Sequence, residues 1–185
     1  DVSNIVTLNG YKQNGNGAQP QIVYAEDNTA AATPHFYTQI NAQPYWTMTS
    51  TYRRDYVWLD DLRVALVWDR IVGSPAKKWR LHVPASVTIN GSVATYTVNG
   101  KTVNVRNLLA SSNGAWAVEN TLNVWRLSQD DSANDYRSLK VMDVGGRVSA
   151  ATLTTGSGWY QANITINGVA RAVRFFDDGT HALIQ

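Results

Sequence analysis

The chain has 185 residues, enough for one domain with a sizeable core, and its 44% hydrophobic and 16% charged residues are those of a globular protein. Its formal net charge is +2 and its sixteen Lys and Arg are scattered, so nucleic acid is not implied, while an acidic ligand stays permissible. Absence of cysteine excludes disulfides, thiolate metal sites and cysteine nucleophiles, and no apolar run approaches the ~20 residues that span a bilayer, so no membrane partner is expected.

Apolar residues recur with period 2 almost everywhere along the chain, the spacing of strands. The start, DVSNIVTLNG, lacks an initiator Met and is no signal peptide, so a processed product or an excised piece is expected. A first strand is predicted near 4–8, followed by the polar loop LNGYKQNGNGAQPQ, whose glycines suit a turn and precede no helix. Strands near 21–26, 35–40, 46–59, 62–72 and 77–83 come next, the second and third of these five divided from the first by EDNTAAATP. Further strands are predicted near 86–90, 93–98, 101–106, 115–118 and 122–127. After the connection SQDDSAND, the remaining ones lie near 136–142, 147–154, 159–166, 169–176 and 181–184. Asn99-Gly100 and Asn167-Gly168 read as type I′ turns of two hairpins. No segment has helical periodicity and there is no fixed repeat. The fold class is therefore all-β: one antiparallel, multi-stranded β-sandwich domain over 1–185 with little or no helix.

Candidate chemistry is sparse. His35, His82 and His181 are far apart in sequence and form no metal-ligand spacing, so no metal and no cofactor are expected. The doublets Asp60-Asp61, Asp130-Asp131 and Asp177-Asp178 are assigned to turns, and neighbours in extended chain point apart, so none makes a carboxylate dyad. Asn90-Gly91-Ser92 and Asn163-Ile164-Thr165 match the glycosylation triplet.

Alternation places Tyr52, Arg54, Tyr56 and Trp58 on one face of a strand, with Arg53, Asp55, Val57 and Leu59 on the other. Amphipathic rings beside a guanidinium suit an acidic glycan, because pyranose faces stack on aromatic planes and guanidinium groups fork onto carboxylates. The same residues also suit a purely structural aromatic ladder. In KKWRLHVP, Lys78, Arg80 and His82 form a basic face while Lys77, Trp79, Leu81 and Val83 face a packed side. The candidate carbohydrate-binding residues are accordingly Tyr52, Arg54, Tyr56, Trp58, Arg80 and His82. Leu62, Val64, Leu66 and Trp68 are assigned to the core.

Several segments in order resemble the β-sandwich domain of the heparinase II/III-like polysaccharide lyases. SNIVTLNGYKQ (3–13) resembles that family's HNTVTVDGxxQ strand, and YRRDYVWLDDLRVALVWDRI its pair of strands with an arginine before an aromatic run. KKWRLHVP resembles the strand that follows, NVWRLSQDDSANDYRSLKVMDVGG a later segment, and the last forty residues its closing hairpins. The resemblance implies a module that follows a helical catalytic part acting on uronate glycans by β-elimination, in a secreted or periplasmic protein. Family members with a structural metal use a histidine where this chain has Ser3, although Asn4 is retained.

The expected function is thus a non-catalytic module that supports a preceding catalytic domain and binds acidic polysaccharide. One alternative is residual lyase chemistry, with Tyr56, Arg54 and His82 as base and neutralising candidates. A second is an assembly domain whose aromatics face a partner protein.

Overall fold

The computed structural model describes residues 6–9, 19–46, 48–111, 114–121 and 124–185. The first elements in chain order are β1 (Val6–Leu8), β2 (Gln21–Asn28), β3 (His35–Asn41), β4 (Thr51–Leu59), β5 (Val64–Val72), β6 (Lys77–Val83), β7 (Thr88–Asn90) and β8 (Val93–Val98). Then come β9 (Lys101–Ala110), β10 (Trp116–Thr121), β11 (Val124–Asp131), β12 (Asp135–Val144), β13 (Val148–Gly156), β14 (Trp159–Ile166), β15 (Val169–Phe176) and β16 (Leu183–Ile184). One short 3₁₀ turn, Gln43–Tyr45, stands between β3 and β4. The all-β expectation holds, and β6, β8, β14 and β15 span the residues that periodicity gives them.

Both Asn-Gly hairpins take the expected turn. Asn99 and Gly100 have φ of 49° and 71°, Asn167 and Gly168 of 50° and 81°. Two consecutive positive φ values define the type I′ turn, whose twist matches that of the strands it joins.

Three antiparallel sheets are stacked. The central one has eight strands in the order β2-β3-β4-β5-β12-β9-β8-β7, flanked by the four-stranded sheets β1-β6-β11-β10 and β13-β14-β15-β16. One core lies between the central sheet and β13–β16, where Tyr37, Val57, Leu66, Trp68 and Leu139 meet Ala162, Ile164 and Phe175. Trp68 stacks on Phe175 at 5.9 Å and on Tyr160 at 4.8 Å between ring centroids. On the other face, Tyr52, Ile71, Val105 and Tyr136 meet Val6, Leu8, Trp79, Leu81 and Leu127. Strands in the middle of the central sheet are therefore covered twice, and Val64 to Asp69 of β5 are buried without alternation. Leu62, Val64, Leu66 and Trp68 are core as expected.

Three boundaries depart from the sequence reading by four or five residues, and others by one to three. The strand expected over 46–59 begins at Thr51, because Pro44 starts the 3₁₀ turn Gln43–Tyr45 and Thr49 and Ser50 close the bend by hydrogen bonds to Trp46 and Val72. β9 runs on to Ala110. Asp130 and Asp131 lie in β11 and not in a turn; Asp131 is buried and accepts the Ala133 N–H at 2.8 Å, which ends the strand. The strand expected at Asn4 and Ile5, and Ser3 beside it, lie outside the described residues.

Two polar groups of the interior are built from several strands at once. Lys140 is fully buried between the central sheet and β6–β11, and its Nζ donates to Asn107 Oδ1, Gln129 Oε1 and Ser138 Oγ, each at 2.7 Å. It also sits over the rings of Trp79 and Trp116 at 5.5 and 5.3 Å. Burial pushes its pKa down to about 7, against the pull of Asp69 and Asp131. On the opposite face, cross-strand register aligns Arg53, Arg70 and Arg137. Arg53 is held by Asp55 at 2.9 Å, and Arg137 by Asp135 and Asp177 at 2.7 and 2.8 Å. Arg53 and Arg70 further donate to the carbonyls of Phe176 and Asp177 at the end of β15, tying the outer sheet to the central one.

Candidate functional site

The register of β3 on β4 builds an open aromatic face. Phe36 pairs with Trp58, Thr38 with Tyr56 and Ile40 with Arg54, so all six side chains lie on the same side of the central sheet. The sheet containing β6 packs over the start of β4, at Tyr52, but Phe36, Tyr56 and Trp58 belong to neither core. Phe36 is 39% exposed, and Tyr56 and Trp58 are half-buried. Trp58 is oriented by its Nε1, which donates to Asp60 Oδ1 at 3.2 Å. Burial pushes the Tyr56 phenol up, so at neutral pH it is a hydrogen-bond donor and not a phenolate. Neighbouring rings with a phenol and an indole at their margins offer a stacking surface for an apolar ring face with polar edges.

The six sequence-derived candidates do not form one surface. Tyr52 is a correction: it is 3% exposed, its hydroxyl donates to Val6 O at 3.0 Å, and it is part of the second core. The cause is the second covering sheet, which closes over the start of β4 but leaves its end open. Arg54 does share the face of Tyr56, yet it forks onto the buried Asp69 at 2.7 and 2.9 Å, so its charge is compensated within the fold. Arg80 and His82 are half-buried on the outer side of β6, away from the core side that carries Trp79 and Leu81. There Arg126 Nε contacts His82 Nε2 at 3.2 Å, and Lys78 pairs with Glu119 and Asp130 at 3.5 and 3.3 Å. This strip is of mixed charge and belongs to a different sheet from Tyr56 and Trp58.

Of the other histidines, His35 is buried with Nδ1 2.7 Å from Thr33 O, and His181 stacks on Tyr24 with centroids 3.7 Å apart. Among the described residues no group of three or more His, Asp or Glu could hold a metal ion; Ser3, at the position where the family resemblance places a metal-binding histidine, lies outside them. Phe36 is the ring that sequence reading missed. The alternation of HFYTQIN already sets it opposite the core residue Tyr37, but its place beside Trp58 depends on which strands pair and in what register.

The geometry has counterparts among solved structures. A heparan sulfate lyase HepC mutant from Pedobacter heparinus superposes on 97% of this chain with a TM-score of 0.70 at 12% identity, and heparinase III on 94% with a TM-score of 0.63 at 12% identity. The likeness is one of fold, and it bears out the resemblance read from the strand motifs at that level. This chain spans 31% and 29% of those two chains, the extent of a domain. No protein-family model and no curated protein sequence matches the chain.

Proposed function

We propose that the chain is a non-catalytic β-sandwich module of a protein that degrades acidic polysaccharide, that it supports a catalytic part, and that it contacts glycan through Tyr56, Trp58 and Phe36. The observation that carries this reading is the open end of β3 and β4, where three rings stand outside both cores of a sheet whose middle strands are covered twice. Structurally similar domains in two lyases support the setting. With Arg54 already matched by Asp69 and the Trp58 N–H by Asp60, ring stacking and the Tyr56 hydroxyl provide the affinity, and Arg80, on the separate strip of mixed charge that also carries His82, meets the polymer's carboxylates. An extracellular or periplasmic location accords with such a substrate. Residual β-elimination by Tyr56, Arg54 and His82 would need the three to converge on one sugar. Tyr56 and His82 belong to different sheets, and Arg54 is engaged by Asp69.

Affinity electrophoresis in gels containing alginate or heparin tests the proposal. Retardation is expected for the protein and is expected to fall at least ~10-fold in apparent affinity for Trp58→Ala, the loss of one stacking ring. Retardation that is absent, or unchanged in Trp58→Ala, would refute the glycan contact. Appearance of ultraviolet-absorbing unsaturated uronate ends from the chain alone would refute the non-catalytic role.

A further inference from the structure

On the opposite side of β3 and β4 from the aromatic face, beyond the end of the outer sheet, lies a polar cleft of about 290 Å³. Its floor and walls are Gln39 and Asn41 of β3, Gln43 of the 3₁₀ turn, Thr51 and Arg53 of β4, and the exposed side chain of Val23. Three side-chain amides converge here, and a hydrogen bond to the protein sets the orientation of each. Gln39 Nε2 donates to Asp55 Oδ1 at 2.8 Å, an atom that only accepts, and to Gly179 O at 3.3 Å. Asn41 Oδ1 accepts the Gln43 N–H at 3.0 Å, and Gln43 Nε2 donates to Thr49 O at 3.3 Å. The opposite ends are thereby assigned: Gln39 presents a carbonyl, Asn41 an NH₂ and Gln43 a carbonyl, with the Thr51 hydroxyl beside them.

Gln39 is 5% exposed and held by Tyr37 and Asp55, so the floor is built before any ligand arrives. The one charged wall, Arg53, is matched by Asp55 at 2.9 Å, which leaves the cleft neutral. Alternating acceptor and donor amides suit vicinal hydroxyls, each of which both donates and accepts, while Val23 at 50% exposure offers an apolar wall for C–H groups. The volume stands at the small end of ligand pockets, ~300–1,000 Å³, a size for one or two rings.

From this arrangement we propose that the cleft is a second binding site, selective for an uncharged, polyhydroxylated glycosyl unit. It uses different residues on the opposite side of the sheet from Phe36, Tyr56 and Trp58, so it stands or falls separately from the contact with acidic polymer.

Titration of the whole chain with cellobiose, maltose and glucuronic acid, followed by nitrogen–proton correlation spectra, tests it. Saturable shifts of the Asn41 and Gln43 side-chain amide signals are expected with cellobiose or maltose. Thr51→Val, which removes a hydroxyl with no hydrogen bond to the rest of the described chain, and Asn41→Ala are each expected to weaken binding ~5-fold, the worth of about one hydrogen bond. Trp58→Ala is expected to leave these shifts in place. The proposal is overturned if neither disaccharide shifts the amides, if both variants bind undiminished, or if only glucuronic acid binds.

Discussion

Lys140 gives the fold a pH dependence whose sign and size follow from its surroundings. Its ammonium has no carboxylate in contact, only three neutral acceptors and two rings, with Asp69 and Asp131 acting from a distance and Arg54 opposing them. Burial takes its pKa from the ordinary 10.5 to about 7. Between these values the unfolded chain binds a proton that the folded chain does not, so stability rises with pH across the window and falls as pH drops back towards 7. Each unit of displacement is worth ~1.4 kcal/mol, which makes the charged form cost on the order of 5 kcal/mol below the window. Urea unfolding at steps from about pH 7 to about pH 10 is the assay, the upper limit being set by Tyr37, Tyr52 and Tyr136, whose burial raises their pKa values and turns the slope downward beyond it. The unfolding free energy is expected to climb by up to ~1.4 kcal/mol per pH unit through Lys140, and Lys140→Met is expected to remove most of that climb, leaving the part due to Lys77, whose pKa burial also lowers. A flat profile for the protein, or an equal slope in Lys140→Met, would refute the reasoning.

Three further outcomes are expected. Asp69→Asn leaves Arg54, a largely buried cation, poorly matched and should lower unfolding free energy in urea by ~3–5 kcal/mol. Asp177→Ala removes the carboxylate shared by Arg137 and Arg70, and hydrogen exchange should quicken in β13–β16 more than in β4, β5 and β12, with a loss of ~1–3 kcal/mol on a partly exposed network. Gly100→Ala adds a Cβ that meets no atom within 4 Å, so only the φ of +71° opposes it; a thermal or urea melt should register ~1–2 kcal/mol of destabilisation.

Much of the fold was legible because strand periodicity and turn chemistry are local. KKWRLHV alternates cleanly and forms β6 over the expected residues, and Asn99-Gly100 and Asn167-Gly168 close the hairpins that their φ preferences demand. Where the local signal was ambiguous the reading slipped: Asp130-Asp131 looks like a turn, yet buried Asp131 caps the end of β11, which runs antiparallel beside Lys77 and Lys78 of β6. The candidate site was legible only in part. Tyr56 and Trp58 do share an open face, and Arg54 is on it, but Tyr52, at the same parity two residues earlier, is core.

The sequence by itself determined which side chains of a strand point together, because successive residues of extended chain alternate in direction whatever lies around them. Tertiary structure alone decided which of those directions meets water. Two covering sheets are offset on one central sheet, so the same face of β4 is sealed at Tyr52 and partly open at Trp58. That offset arises from contacts between strands distant in the chain, which no local spacing encodes.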